Sequence, residues 1–176
     1  AAAQHSPYSP EEIYNIIFFE GIEERFDLGQ ITPEQFYRQS AAATGSSVDQ
    51  ETCRRIWTHI FSLNSGIENL IAALKKKYRL VCLSNTNVWH FQYCRETFPV
   101  LEHFDGFVLS YQVGVKKPHP AIFQAALEAA RASPDRCFYI DDVSEFIYAA
   151  GRLGIRGVTF ESVEQVTAKL RMLGIL

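Results

Sequence analysis

With 176 residues, 47% of them hydrophobic and 13% aromatic, the chain has the apolar material for one packed domain, or a core with a small added unit, and not for wholesale disorder. Its net charge of −3 argues against nucleic acid as a partner, and the basic cluster Lys75-Lys76-Lys77 is placed as the solvated end of a helix. No stretch approaches the ~20 apolar residues of a membrane span, so no membrane partner is expected.

The first 62 residues carry helix signals. Ser9-Pro10-Glu11-Glu12 is a capping box with proline at the first helical position, followed by Ile13, Ile16, Ile17 and Phe19 at helical spacing. Gly21 begins a second helical piece over 22–28, which Gly29 ends. Thr32-Pro33-Glu34-Gln35 repeats the start signal and leads into Phe36 and Tyr37. After the break Thr44-Gly45-Ser46-Ser47, Asp49 caps a helix carrying Cys53, Ile56, Trp57, Ile60 and Phe61. The aromatic stripe is read as the core of a small bundle.

From Ser65 the rhythm changes to strand–helix alternation. Helices are expected over 67–77, 88–98, 119–132, 144–153 and 162–173. Strands are expected over 79–83, 106–110, 137–140 and 157–160. Strict alternation means parallel strands with crossover helices, hence an α/β fold with a doubly wound parallel sheet. The expected units are a helical bundle over 1–62 and an α/β core over 63–176.

In such sheets ligands bind beyond the carboxyl ends of the strands. Three polar clusters fall there: Ser84-Asn85-Thr86-Asn87, Lys116-Lys117 and Asp141-Asp142. Two adjacent carboxylates at a strand end repel each other, and a hard cation such as Mg²⁺ relieves this with oxygen ligands. The Ser84 hydroxyl and the backbone N–H groups after it suit a phosphate at a helix mouth. Lys117 lies beside Pro118, which stiffens the backbone that aims its ammonium. His90, near the same rim, is a candidate substrate contact. The four cysteines, Cys53, Cys82, Cys94 and Cys137, lack zinc or redox spacing, so a reduced, cytoplasmic protein is expected. The histidines, His5 among them, lack metal-ligand spacing.

Leu83-Ser84-Asn85-Thr86-Asn87, the run from Gly114 to Phe123, and Tyr139-Ile140-Asp141-Asp142 together resemble motifs two, three and four of the haloacid dehalogenase-like hydrolases. The resemblance spans nearly the whole chain, with the helical front similar to that superfamily's small cap. The run from Ser84 to His90 is most similar to phosphatases of small sugar phosphates, including glucose-1-phosphate. The resemblance implies that Ser84 and the Asn85 backbone bind the transferring phosphoryl group and that Lys117 neutralises phosphate and nucleophile. It implies that Asp142 binds Mg²⁺, with Asp141 as neighbouring ligand or orienter. It further implies a small phosphorylated metabolite as partner, an aspartyl-phosphate intermediate, and a monomer or homodimer.

Two departures stand out. The family's Asp-x-Asp, which follows a first strand in the middle of the sheet, is absent from the sequence. The chain opens on Ala1-Ala2-Ala3, and the expectation is that strand and nucleophile belong to a preceding segment, with this chain inactive alone. The second departure is Phe146, four residues after Asp142, where the family often has Asn or Asp. It cannot orient a ligand, so weaker metal binding is expected. The alternatives are a non-catalytic binding protein of the same fold and a haloacid dehalogenase.

Overall fold

The computed structural model describes residues 6–176, so His5 lies outside the described residues. The helical front forms where its start signals stand. Ser9 and Glu12 exchange hydrogen bonds as a capping box at the head of α1 (Pro10–Phe19), and Thr32 with Gln35 does the same for α3 (Pro33–Thr44). Between them α2 (Ile22–Asp27) starts after Gly21, and Asp49 accepts the Thr52 N–H to cap α4 (Gln50–Thr58). Each such cap stabilises its helix by about 1 kcal/mol. Helix α4 ends three residues before the apolar run does. The Thr58 hydroxyl donates to the Arg54 carbonyl, and the His59 ring closes on that of Arg55, so Ile60 and Phe61 leave the helix and stand exposed.

The alternating part follows as α5 (Ile67–Lys75), β1 (Val81–Ser84), α6 (Val88–Thr97), β2 (Gly106–Leu109), the single turn α7 (Ser110–Val113), α8 (Pro120–Ala130), β3 (Phe138–Asp141), α9 (Ser144–Gly151), β4 (Arg156–Thr159) and α10 (Val163–Met172). All strands pair in parallel, as the alternation requires. They form two ladders, β1 with β2 from Val81↔Gly106 to Ser84↔Leu109, and β3 with β4 from Phe138↔Arg156 to Asp141↔Thr159. No strand among the described residues pairs with the remaining edge of β1 or of β3. That opening lies where the resemblance puts a central first strand. It also explains why β1 and β3 are half-buried throughout.

Helices cover both faces of the two ladders. On one side Val108, Ile122, Phe123, Leu127, Ala150 and Ile155 pack with Val81, Leu83 and Tyr139, so one core runs beneath both ladders. On the other, Leu70, Val166 and Leu170 pack with Phe138, Ile140 and Val158. Strand β3 alternates sides residue by residue, which turns Tyr139 and Asp141 to the same face. A third core, of Ile13, Ile17, Ile22, Phe26 and Phe36, belongs to the helical front and is completed by Trp89 from α6. Trp89 meets Phe26 and Phe36 edge-on, each at 5.5 Å between ring centres.

Candidate active site

Lys117 is the centre of the strand-end rim. It lies in the loop before α8, and its backbone is gripped by Asn85. The Asn85 carboxamide donates to the Lys117 carbonyl at 3.0 Å, and the Lys117 N–H donates back to Asn85 Oδ1 at 2.7 Å. This reciprocal pair ties the loop after β1 to the loop before α8, although 32 residues separate them. The anchored lysine then reaches across the opening between the ladders. Its Nζ donates to the Leu83 carbonyl on β1 at 3.2 Å and to Asp141 Oδ2 on β3 at 2.6 Å. Both side chains are under 10% exposed, so this is a buried ion pair. The ammonium also sits 5.0 Å from the centre of the Phe146 ring, a cation–π contact.

Asp141 is fully engaged. Oδ2 accepts from Lys117 and from the Tyr139 hydroxyl, and Oδ1 accepts the Val143 N–H at 2.9 Å. Burial pushes its carboxyl up, but the ammonium, the hydroxyl and the N–H outweigh burial and hold it below the usual carboxylate range. The Tyr139 hydroxyl is pushed up instead, by burial and by the hydrogen bond to Asp141, and so stays a proton donor. Asp142, the next residue, is exposed, and among the described residues no side chain pairs with it. The same loop thus carries one carboxylate committed to the protein and one open to a ligand. Among the described residues no three His, Cys, Asp or Glu side chains gather as a ready-made metal cluster. What the rim offers a cation is the hard carboxylate oxygens of Asp142, with the engaged Asp141 beside it, which suits an ion that keeps much of its water.

Ser84 closes β1, one residue from the Asn85 pair, and its hydroxyl makes only a long 3.4 Å contact with the Asn85 carbonyl. The structure therefore joins Lys117 to Asp141 directly; Ser84 lies in the chain between Leu83 and Asn85, both partners of Lys117, and Asp142 follows Asp141. His90 lies differently. Its Nδ1 is 3.2 Å from the Asn87 carboxamide nitrogen and its Nε2 is 3.0 Å from the Trp57 carbonyl. Both ring nitrogens are thus occupied inside the protein, and burial lowers its pKa, keeping the ring neutral. Three participants escaped the sequence reading. Tyr139 had a usable signal, since residues i and i+2 of a strand share a face. Phe146 was read only for what it lacks. Ser110, fully buried at the end of β2, had no signal beyond its strand-end position.

Comparison with known proteins places the chain in a family. The haloacid dehalogenase-like hydrolase family matches residues 2–154, and the chain belongs to that family. A D-ribitol-5-phosphate phosphatase of Bacteroides thetaiotaomicron is 28% identical over 141 residues, covering 76% of this chain and 68% of that enzyme. Bifunctional epoxide hydrolase 2 of Mus musculus is 27% identical over 158 residues, 81% of this chain but 28% of that protein. The magnesium complex of a haloacid dehalogenase family enzyme from B. thetaiotaomicron superposes with a TM-score of 0.80 at 26% identity, over 95% of this chain and 93% of that one.

Proposed function

We propose that the strand-end rim is the phosphate and Mg²⁺ site of a phosphatase acting on a small phosphomonoester such as a sugar phosphate. The observation that carries it is the Lys117 ammonium, held between the carbonyl of Leu83, the residue before Ser84, and the carboxylate of Asp141, the residue before Asp142. An ammonium, a free hydroxyl and a free carboxylate at one rim are what a phosphomonoester and its counter-cation require. The similarity to a D-ribitol-5-phosphate phosphatase supports a phosphorylated polyol or sugar as the substrate class.

Asp142, with Asp141 beside it, would hold Mg²⁺, which when bound supplies charge neutralisation for a phosphoryl group. Ser84 and the N–H groups after it bind phosphoryl oxygens, and Lys117 offsets their charge. Asp141 and Tyr139 keep Lys117 in place. The nucleophilic aspartate belongs, in this reading, to a strand seated between β1 and β3. Among the described residues both ladders present unpaired edges there, and unpaired backbone groups are costly when enclosed. Lys117 spans that opening from above and would face a carboxylate at the strand's end.

Phosphate release from a panel of sugar and polyol phosphates by the natural gene product, with and without Mg²⁺, tests this. Metal-dependent turnover that disappears in Lys117→Ala and Asp142→Ala is the expected result. Turnover unaffected by either substitution, or none on any phosphomonoester, would refute it.

A further inference from the structure

A buried polar cluster lies where the helical front meets the strand ends. Asp27, at the last turn of α2, is 8% exposed, and Asn87, which precedes α6, is completely enclosed. The Asn87 carboxamide donates to Asp27 Oδ1 at 2.9 Å, while its oxygen accepts the His90 N–H at 3.0 Å and so caps α6. One side chain therefore starts a helix of the α/β part and reaches into the helical front. The backbone of Asp27 holds the other side of the same loop. Its carbonyl accepts from the Ser110 hydroxyl at 2.7 Å, and that hydroxyl accepts the Thr86 N–H at 2.8 Å.

Close packing fixes this arrangement. A Cβ on Gly29, two residues after Asp27, would stand 2.1 Å from the Tyr111 carbonyl oxygen, so the α2 turn meets α7 backbone to backbone. No cation pairs with Asp27 among the described residues, since Lys116 pairs with Glu24 at 3.3 Å. A buried carboxylate set between a carboxamide and the neighbouring Glu23 carboxyl costs desolvation and gives little stability in return. Its effect is directional, because it admits one orientation of the Asn87 side chain.

We propose that Asp27 is a positioning residue for the loop from Ser84 to Asn87, which keeps its phosphate-binding shape only while the helical front is docked through Asp27. The proposal rests on the phosphate reading of that loop. It couples a ligand site on the α/β part to the seating of a different unit, through Asn87 on one side and Ser110 with Thr86 on the other.

The test is hydrogen exchange of the amides of residues 84–90 in the whole chain, in a charge-exchange cycle. Asn87→Asp sets two carboxylates against each other and is expected to cut protection by about tenfold or more. Asp27→Asn keeps an oxygen for the Asn87 carboxamide and is expected to cut it by less than about threefold. The double variant reverses the hydrogen bond and is expected to recover most of the protection lost in Asn87→Asp alone. A double variant no better than Asn87→Asp would overturn the proposal. Asp27→Ala gives a second arm should Asn87→Asp not fold. Faster exchange at 84–90 with α8 unchanged supports the coupling, and unchanged exchange at 84–90 overturns it. Calorimetric titration with inorganic phosphate and Mg²⁺ is expected to follow the same order of variants. Wild-type protein that binds no phosphate, with the exchange pattern intact, would remove the phosphate assignment and leave the coupling of Asp27 to the loop.

Discussion

Where α6 meets the helical front, Trp89 packs edge-on against Phe26 and Phe36, and the polar groups beside it, Asp27, Asn87, Ser110 and His90, find partners within the protein. Where β1 meets β3, no ladder forms, and the ends of the two strands are joined through one lysine side chain. The first seam is closed, an aromatic core with its polar groups paired inside the protein. The second is ionic and open, with a free hydroxyl and a free carboxylate at its mouth. The contrast teaches that the proposed site lies at the open seam, beside a closed one that can serve it as a reference frame.

Substitutions at the two seams are expected to differ in kind as well as size. The largest effect belongs to Lys117→Ala, which leaves the Asp141 carboxylate buried without its cation. A loss of about 3–5 kcal/mol is expected in denaturant unfolding at neutral pH, together with loss of Mg²⁺-dependent turnover in the natural gene product. A loss below about 1 kcal/mol would mean that the open seam does not depend on the pair. Trp89→Ala is expected to cost about 3 kcal/mol through the cavity left among Phe26 and Phe36. Trp57 is the chain's second tryptophan, so intrinsic fluorescence of this variant follows the closed seam through unfolding.

Asp142→Asn sharpens the contrast, because an exposed and unpartnered carboxylate has little to lose in stability. Its midpoint in denaturant is expected to stay within about 0.5 kcal/mol of wild type while Mg²⁺ affinity, read by calorimetry, falls about tenfold or more. Phe146→Leu removes the ring beneath the Lys117 ammonium, a contact worth about 0.5–2 kcal/mol, and is expected to weaken phosphate binding several-fold; Phe146→Tyr is expected to restore it.

The smallest effect concerns pH at the closed seam. Burial, with the Asp27 carboxylate next, pushes the Glu23 carboxyl up to about 7, against a weak opposing pull from Lys116 and a further small push from Glu24. The folded protein therefore holds this proton over a range in which the unfolded chain has released it. Stability is fully present below the ordinary glutamate value and declines as pH rises through about 7. Screening at this half-buried site keeps the decline to about 1 kcal/mol. Glu23→Gln is expected to flatten the pH dependence of the unfolding midpoint, and an unchanged slope would show that Glu23 does not carry it.

Much of the architecture was legible because local signals and burial agreed. The capping boxes at Ser9 and Thr32 start α1 and α3 where they stand, and the apolar runs over 79–83 and 137–140 became β1 and β3, each shifted to include the polar residue that follows. The opening between those strands was legible through the family resemblance and the missing Asp-x-Asp, since periodicity carries no strand order. His90 illustrates the limit. Its position near the rim suggested a ligand contact, yet Trp57 places a carbonyl against its ring from 33 residues away, which no local pattern records. The Asp27–Asn87 bond spans 60 residues and was illegible for the same reason. The contact of the Phe146 ring with the Lys117 ammonium was not legible, since it joins the loop before α8 to helix α9, 29 residues apart in the chain.

The most direct measurement is diffraction from crystals of the protein soaked in manganese, as an anomalous stand-in for magnesium, and inorganic phosphate. The account requires a metal peak at the Asp142 carboxylate and a phosphate within hydrogen-bond reach of both Ser84 Oγ and Lys117 Nζ. Ions bound elsewhere, with that rim empty at saturating concentrations, would contradict it.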